Sequence, residues 1–357
     1  MPSPPHHLLV VQPLPGIGDM VWHLPHIRAL ARHAGAPITL VAKPRSLADQ
    51  LFAAEDTLKD IIWLDRNPRG RTGRNDGPIG FWRLVRVLRA GRFGHVVLLH
   101  HSHTLALATL AAGIPVRQGY GAGAQRWFLN RPPFLSPDAM RAHQYLRATA
   151  FLHAAGIPLE ETEPRVAIAP GAREAARARL GLTMPYIAMG IGSSEAHRQW
   201  GAVRMAELGR ALLEAGWPRL VLIGGSEDSP LVAAIQQGLG EQAKRAVPAL
   251  GWHLADAAAL MAEAGYYVGN DTGVMNLAAA AGARSYALFG ASPVLRHSRN
   301  IVPVVPSATA GVGTGMQGIT VAAVLSVIER DRGAIVPLGN DQPQSQPAVG
   351  PPSARTI

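Results

Sequence analysis

The feature that most restricts the fold is an alternation: short apolar runs that end in small polar residues, each followed by a segment with helical spacing. His7–Leu14 reads as a buried strand, followed by the turn Pro15-Gly16-Ile17-Gly18 and a helix from near Asp19. Ile38–Ala42, Asp60–Leu64 and His95–His100 read as further strands, separated by helical segments at Ser46–Ala53, Ile79–Ala90 and Thr104–Ala111. Buried strands joined by helices pair in parallel, so this half predicts a sheet covered on both faces. Residues 121–136 read as a loop and Asp138–Ala155 as a helix.

The pattern weakens over Pro158–Arg165 and then restarts. Strands are expected at Arg165–Ala169, Tyr186–Gly190, Arg219–Ile223, Tyr266–Val268 and Ser285–Phe289. Helices are expected at Ala202–Glu214, Ser229–Gln237, Leu254–Glu263, Gly273–Ala281 and Gln317–Arg330. The fold class is therefore α/β, with two Rossmann-like, doubly wound domains facing each other across a cleft. We assign residues 1–158 to a first domain and 159–338 to a second, whose last helix can pack back on the first. Residues 339–357, rich in Pro, Gln and Ser, are expected to be disordered.

A chain of 357 residues exceeds what one core usually fills. The absence of cysteine excludes disulfides, thiolate nucleophiles and cysteine metal sites. Of the 34 basic residues 31 are arginine and the formal charge is +10, which suits fork-shaped contacts to phosphate or carboxylate. Nucleic acid is not expected, because no basic tail, aromatic-rich binding sheet or finger spacing accompanies that charge. No signal peptide or membrane span is read, so cytoplasmic residence is expected.

Two strand ends carry the candidate chemistry. In Gly16-Ile17-Gly18-Asp19 the glycines allow a tight turn and close approach of a ligand. Asp19 is either a helix cap or a base acting on a hydroxyl, with cap hydrogen bonds and the helix dipole expected to lower its pKa. The segment lacks the third glycine of a dinucleotide fingerprint and the Lys of a P-loop. Trp22 reads as core, and His23 and His26 as packed or surface residues. In the second half, Asn270-Asp271-Thr272-Gly273 precedes a helix whose free N–H groups suit a diphosphate. Asp271 would fix the loop, orient an arginine or bind a sugar hydroxyl. Gly190-Ile191-Gly192-Ser193-Ser194 leads to Arg198, read either as a surface residue or as a cation for leaving-group charge, and to Trp200, an anchor. Glu227, in Gly224-Gly225-Ser226-Glu227-Asp228, reads as a ribose contact or a cap.

Together these segments resemble the ADP-heptose:lipopolysaccharide heptosyltransferase family over most of residues 7–330. The resemblance rests on GIGDMVWHLPHIRAL, on Gly-Gly-Ser-Glu, and on Asp271-Thr272-Gly273 followed by Asn276-Leu277-Ala278-Ala279 and Phe289-Gly290. It implies the two-domain GT-B fold and inverting, metal-independent sugar transfer. Asp19 would then be the catalytic base, Arg198 would stand where the family usually has a phosphate-contacting lysine, and Glu227 would be the ribose contact. Family members usually carry histidine where Asn276 stands and proline where Gly201 stands. Gly18, Ser193, Ser194, Arg198, Glu227, Asp271, Thr272, Gly273 and Asn276 make up the expected donor site. The donor would be a nucleoside diphosphate sugar, ADP-heptose first, with no further cofactor. The acceptor would be a glycolipid or polysaccharide; a protein acceptor and an inactive nucleotide-sugar-binding protein are the alternatives.

Residues 66–92 hold eight arginines and one acid. Arg83, Arg86 and Arg89 share a helix with Phe81, Trp82, Leu84 and Leu88, a pattern suited to an anionic membrane or phosphorylated glycolipid. His100-His101-Ser102-His103 resembles a metal cluster only superficially, since neighbours in a strand point to opposite faces. One of these histidines is expected to line the acceptor side, and no Asp-x-Asp metal motif occurs.

Overall fold

The computed structural model describes residues 7–67, 70–290, 292–294, 297–306 and 314–332. The first half runs β1 (Leu8–Gln12), α1 (Ile17–Ala34), β2 (Ile38–Ala42), α2 (Ala48–Leu51), β3 (Leu58–Trp63), α3 (Gly77–Ala90), β4 (His95–Leu98), α4 (His103–Ala111), β5 (Val116–Gly119), α5 (Pro137–Arg141) and α6 (Gln144–Ala154). The second runs α7 (Ala172–Arg179), β6 (Tyr186–Gly190), α8 (Ala202–Glu214), β7 (Arg219–Gly224), α9 (Ser229–Leu239), β8 (Ala246–Leu250), α10 (Leu254–Ala262), β9 (Tyr267–Asn270), α11 (Gly273–Ala280), β10 (Ser285–Leu288), β11 (Ile301–Val304) and α12 (Val321–Arg332).

The strands form two sheets, β3-β2-β1-β4-β5 and β11-β10-β9-β6-β7-β8, and every pairing is parallel. These are two Rossmann-like domains. In each sheet the chain order reverses between two central strands, β1 and β4 in the first and β6 and β9 in the second. Ligands of doubly wound sheets bind beyond the strand ends at that reversal. The loops after β1, β4, β6 and β9 are thus the places to look for chemistry, and they carry the motifs singled out above.

Three expectations about elements are corrected. Arg165–Ala169 joins no sheet: Val166 N donates to the Ala280 carbonyl at 2.9 Å, so the segment seals the end of α11 instead of pairing. The helix expected over Asp138–Ala155 breaks at Ala142, whose extended backbone lets the His143 side chain accept from Tyr145 N and cap α6. The last helix packs on its own half, because Val324 and Ile328, one turn apart, are buried against the second sheet's core and Asp331 pairs with Arg284. Residues 339–357 lie outside the described residues.

A single apolar cluster spans both halves, joining Val10, Met20 and Leu24 to Met261, Met275 and Leu277. The domains are therefore held by a dry seam in which α1 lies against α11 and α2 against α10. At its centre the backbones nearly touch. A Cβ on Gly273 would fall 2.8 Å from the Ile17 Cβ and 3.0 Å from Gly18 N. We therefore expect Gly273→Ala to lower stability by about 1–3 kcal/mol in denaturant unfolding, as overpacking does, while Val203→Ala, at a site 72% exposed, stays within about 0.5 kcal/mol.

Candidate active site

The turn after β1 is built around the Asp19 carboxylate. Gly16 is the extended residue preceding α1, and its N–H donates to Asp19 Oδ2 at 2.9 Å. Asp19 thus closes its own helix start from the third position. Contrary to the sequence expectation, its pKa is raised: burial outweighs the lowering by the Gly16 N–H. A carboxylate moved toward the working pH is a better proton acceptor than one held low by a cap. Beneath it His23 Nδ1 lies 2.7 Å from the Asp19 carbonyl, and burial lowers the imidazole pKa to about 4. His26 contacts Thr149 Oγ1 at 2.9 Å and is lowered to about 3 by the same cause. Both are neutral packing residues at neutral pH.

The loop after β4 faces the same side. Strand β4 ends at Leu98, so His100 and His101 are not in extended pairing, and their rings stack at 4.4 Å rather than pointing apart. Burial first, and His101 second, lower His100 to about 4; Arg147 acts on both rings. Among the described residues no group of three His, Asp or Glu is arranged to hold a metal ion.

On the second domain Asn270, fully buried at the end of β9, ties the facing loops together. Its amide donates to the Ile191 carbonyl at 3.0 Å and accepts from Trp200 N at 3.1 Å. Trp200 is buried and donates to the Ile319 carbonyl at 2.8 Å, which anchors the loop after β6. Arg198 is then held between two acids, 2.8 Å from Glu195 and 3.5 Å from Asp271. Asp271 is buried and also accepts from the Ser292 hydroxyl. Burial raises its pKa, while Ser292 and Arg198 pull it down. Of the roles open to Asp271, orienting an arginine is the one this contact displays.

Thr272 is the extended residue before α11, and Gly273 begins the helix, leaving the first N–H groups without helical carbonyl partners. Ser193 Oγ donates to the Glu195 carbonyl at 3.0 Å, and Ser194 beside it is exposed. Glu227 is exposed at the end of β7. Its neighbour Asp228, which the sequence reading left without a role, accepts from Gly225 N at 2.8 Å and fills the space where Gly192 and Gly224 lack a Cβ. The repeated Gly-x-x-Asp spacing, at Gly16–Asp19 and Gly225–Asp228, is the signal that would have found it.

The two sides meet directly. A Cβ on Gly18 would lie 3.5 Å from Gly273 Cα and 3.2 Å from Asn276 Nδ2. The close approach ascribed to a ligand at Gly18 is thus made by the opposite domain. Asn276 is buried, with Oδ1 accepting from Trp22 Nε1 at 2.9 Å and Nδ2 donating to the Thr272 carbonyl at 3.0 Å. Trp22, read as core, is a half-buried seam residue flanked by His143 at 4.5 Å and His297 at 5.7 Å between ring centroids. Asp19, Thr272, Gly273, Asp271 and Arg198 accordingly form one continuous chain of contacts and sequence neighbours.

The family model for glycosyltransferase family 9 (heptosyltransferase) matches residues 81–313. A family 9 glycosyltransferase from Veillonella parvula is similar in structure, with a TM-score of 0.75 at 19% identity over 91% of this chain and 96% of that one. ADP-heptose LPS heptosyltransferase II of E. coli gives 0.71 at 24% identity over 91% and 98%. The E. coli heptosyltransferase WaaC with ADP-2-deoxy-2-fluoro heptose gives 0.69 at 18% identity over 91% and 99%. No curated protein matches the chain.

The Arg198–Asp271 pair makes stability depend on pH in a defined sense. Without Arg198, the buried Asp271 carboxyl moves further above the ordinary carboxyl value of 3.8. A group that binds protons more tightly when folded loses stability as pH rises through the gap between its two pKa values. The stability deficit of Arg198→Gln should therefore grow from below pH 3.8 toward neutrality when unfolding is followed at several pH values. A deficit that does not change with pH would show the pair to be without consequence.

Proposed function

The chain belongs to glycosyltransferase family 9, the heptosyltransferases, and from that premise we propose that it moves a heptose or related sugar from a nucleoside diphosphate sugar to a hydroxyl of a lipopolysaccharide-type glycan, inverting the anomeric centre. The observation that carries this reading is the meeting of α1 and α11 at Gly18 and Gly273. It sets a partly desolvated carboxylate one residue from the contact on one side and unpaired helix N–H groups on the other.

In the proposed step the acceptor oxygen attacks the anomeric carbon as Asp19 takes its proton. The bond from that carbon to the diphosphate oxygen breaks, and the electron pair leaves with the nucleoside diphosphate. Arg198 and the N–H groups following Thr272 meet the charge that develops there. Ser193, Ser194, Glu227 and Asp271 complete the donor surface in this reading, with Glu227 toward the ribose, while Gly18 acts by letting α11 approach. ADP-heptose is the first donor to try, followed by GDP, UDP and dTDP sugars. Burial of the reacting groups beside the seam limits hydrolysis of the donor.

The same reading places the acceptor at an anionic membrane on the cytoplasmic side. Helix α3 exposes Ile79 and Trp82, at 77% and 58%, among Arg83 and Arg86, and Trp127, on a turn packed against the neighbouring α4, is 82% exposed. Apolar rings amid arginines suit the headgroup region of a bilayer. Among the described residues no helix is long and apolar enough to cross a membrane.

Two measurements test the proposal. Asp19→Asn should lower kcat by about 10²–10⁴-fold with nucleotide affinity unchanged, and the parent rate should fall as acid protonates Asp19 at a pH above 3.8. Full turnover in Asp19→Asn would remove the base assignment. Sedimentation with anionic liposomes at low salt should be lost when Arg83, Arg86 and Arg89 become glutamine; unchanged pelleting would exclude this face.

A further inference from the structure

Resting on that reading, we infer that Asn276 and Trp22 form an interdomain latch, and that Asn276 is a positioning residue rather than a donor contact. Trp22 lies one helical turn beyond Asp19 on α1, and Asn276 one turn beyond Thr272 on α11. The hydrogen bond between them joins positions 254 residues apart and ties the helix carrying the base to the helix facing the diphosphate.

The orientation of the amide is determined by its partners. An indole N–H only donates and the Thr272 carbonyl only accepts, so Oδ1 must face Trp22 and Nδ2 must face Thr272. With the residue 4% exposed and both ends of the amide engaged, the one N–H and one lone pair left over have little access to a nucleotide. The neighbouring residues allow for this bond and no bulk besides: a Cβ on Gly18 would press on Asn276 Nδ2 at 3.2 Å. The indole is held on its edges by one imidazole from each domain, His143 and His297. His297 is followed by Ser298, whose hydroxyl donates to Glu163 at 2.6 Å, so the imidazole from the second domain is itself moored to the segment linking the halves.

A latch between the helices sets the separation of Asp19 from the donor site. Loosening it should spoil alignment in the transition state and leave nucleotide binding intact. Trp22→Phe keeps an aromatic ring, though a smaller one, and removes the donor, whereas Asn276→Ala removes both bonds. Since the chain has no cysteine, labels at Ala90→Cys and Glu214→Cys, both exposed and one in each domain, report the interdomain distance by pulsed electron resonance.

We expect both variants to broaden and lengthen that distance distribution, and to lower kcat by about fivefold to tenfold, as loss of one hydrogen bond in a buried site does. ADP affinity should stay unchanged, and the double variant should be no slower than Asn276→Ala. A distance distribution identical to the parent's overturns the latch. So does a tenfold weaker ADP affinity confined to Asn276→Ala, which would make Asn276 a donor contact. If Asn276→Ala fails to fold, the distance and ADP measurements on Trp22→Phe decide. Should the parent turn over no sugar nucleotide, the transferase reading fails, while the distance and ADP measurements still judge the latch.

Discussion

Everything in the site follows from two helix starts, on different domains, approaching until their backbones touch. Only residues without a side chain permit this, and Gly18 and Gly273 occupy the contact. Opposed helix N-termini carry like partial charges, so their approach needs compensation. The Asp19 carboxylate sits within the first turn of one of them, and the apolar seam of α1 against α11 contributes the remaining attraction. The carboxylate therefore serves the fold before it serves any reaction.

That double duty explains why dipole arguments alone misjudged Asp19. A cap on an isolated helix is solvated, and the N–H bonds and dipole lower its pKa. Here Asp19 is largely buried, and desolvation outweighs the single bond from Gly16. Asp271 follows the same balance with more partners, burial being opposed by a hydroxyl and a guanidinium. The two acids are thus tuned first by burial, which no local pattern records. They lie on opposite sides of the seam, and only one of them has an arginine at its carboxylate.

The central strands were readable because both their faces are covered, which makes their sequences continuous apolar runs; β1, β2, β6, β7, β9 and β10 all show this. The strands that escaped notice, β5, β8 and β11, lie at sheet edges. Val116-Arg117-Gln118-Gly119 is half polar, and Pro248 and Pro303 interrupt the other two, as an edge allows. The motif positions at strand ends were legible for a related reason: small residues are required there by geometry, whatever they later bind. What each residue touches was not legible. The hydrogen bond from Trp22 to Asn276 is one such contact, because a bond across 254 positions leaves no periodic trace. The stacking of His100 on His101 was missed because the strand stops at Leu98, two residues before the pair.

The contact between glycines also settles what kind of cleft these domains form. Had Gly18 been kept small for a ligand, the space above it would be open and the halves would be free to separate. Instead the second domain fills it, and the seam continues as one apolar cluster from Val10 to Leu277. Motion large enough to break that cluster would expose apolar surface at a cost of about 25 cal/mol for each Å². Movement that admits substrates is therefore cheapest outside that cluster, on the polar side where Arg198 bridges Glu195 and Asp271. The chain thus separates a dry apolar seam from a polar margin, and Asp19, Thr272 and Arg198 stand along the boundary between them.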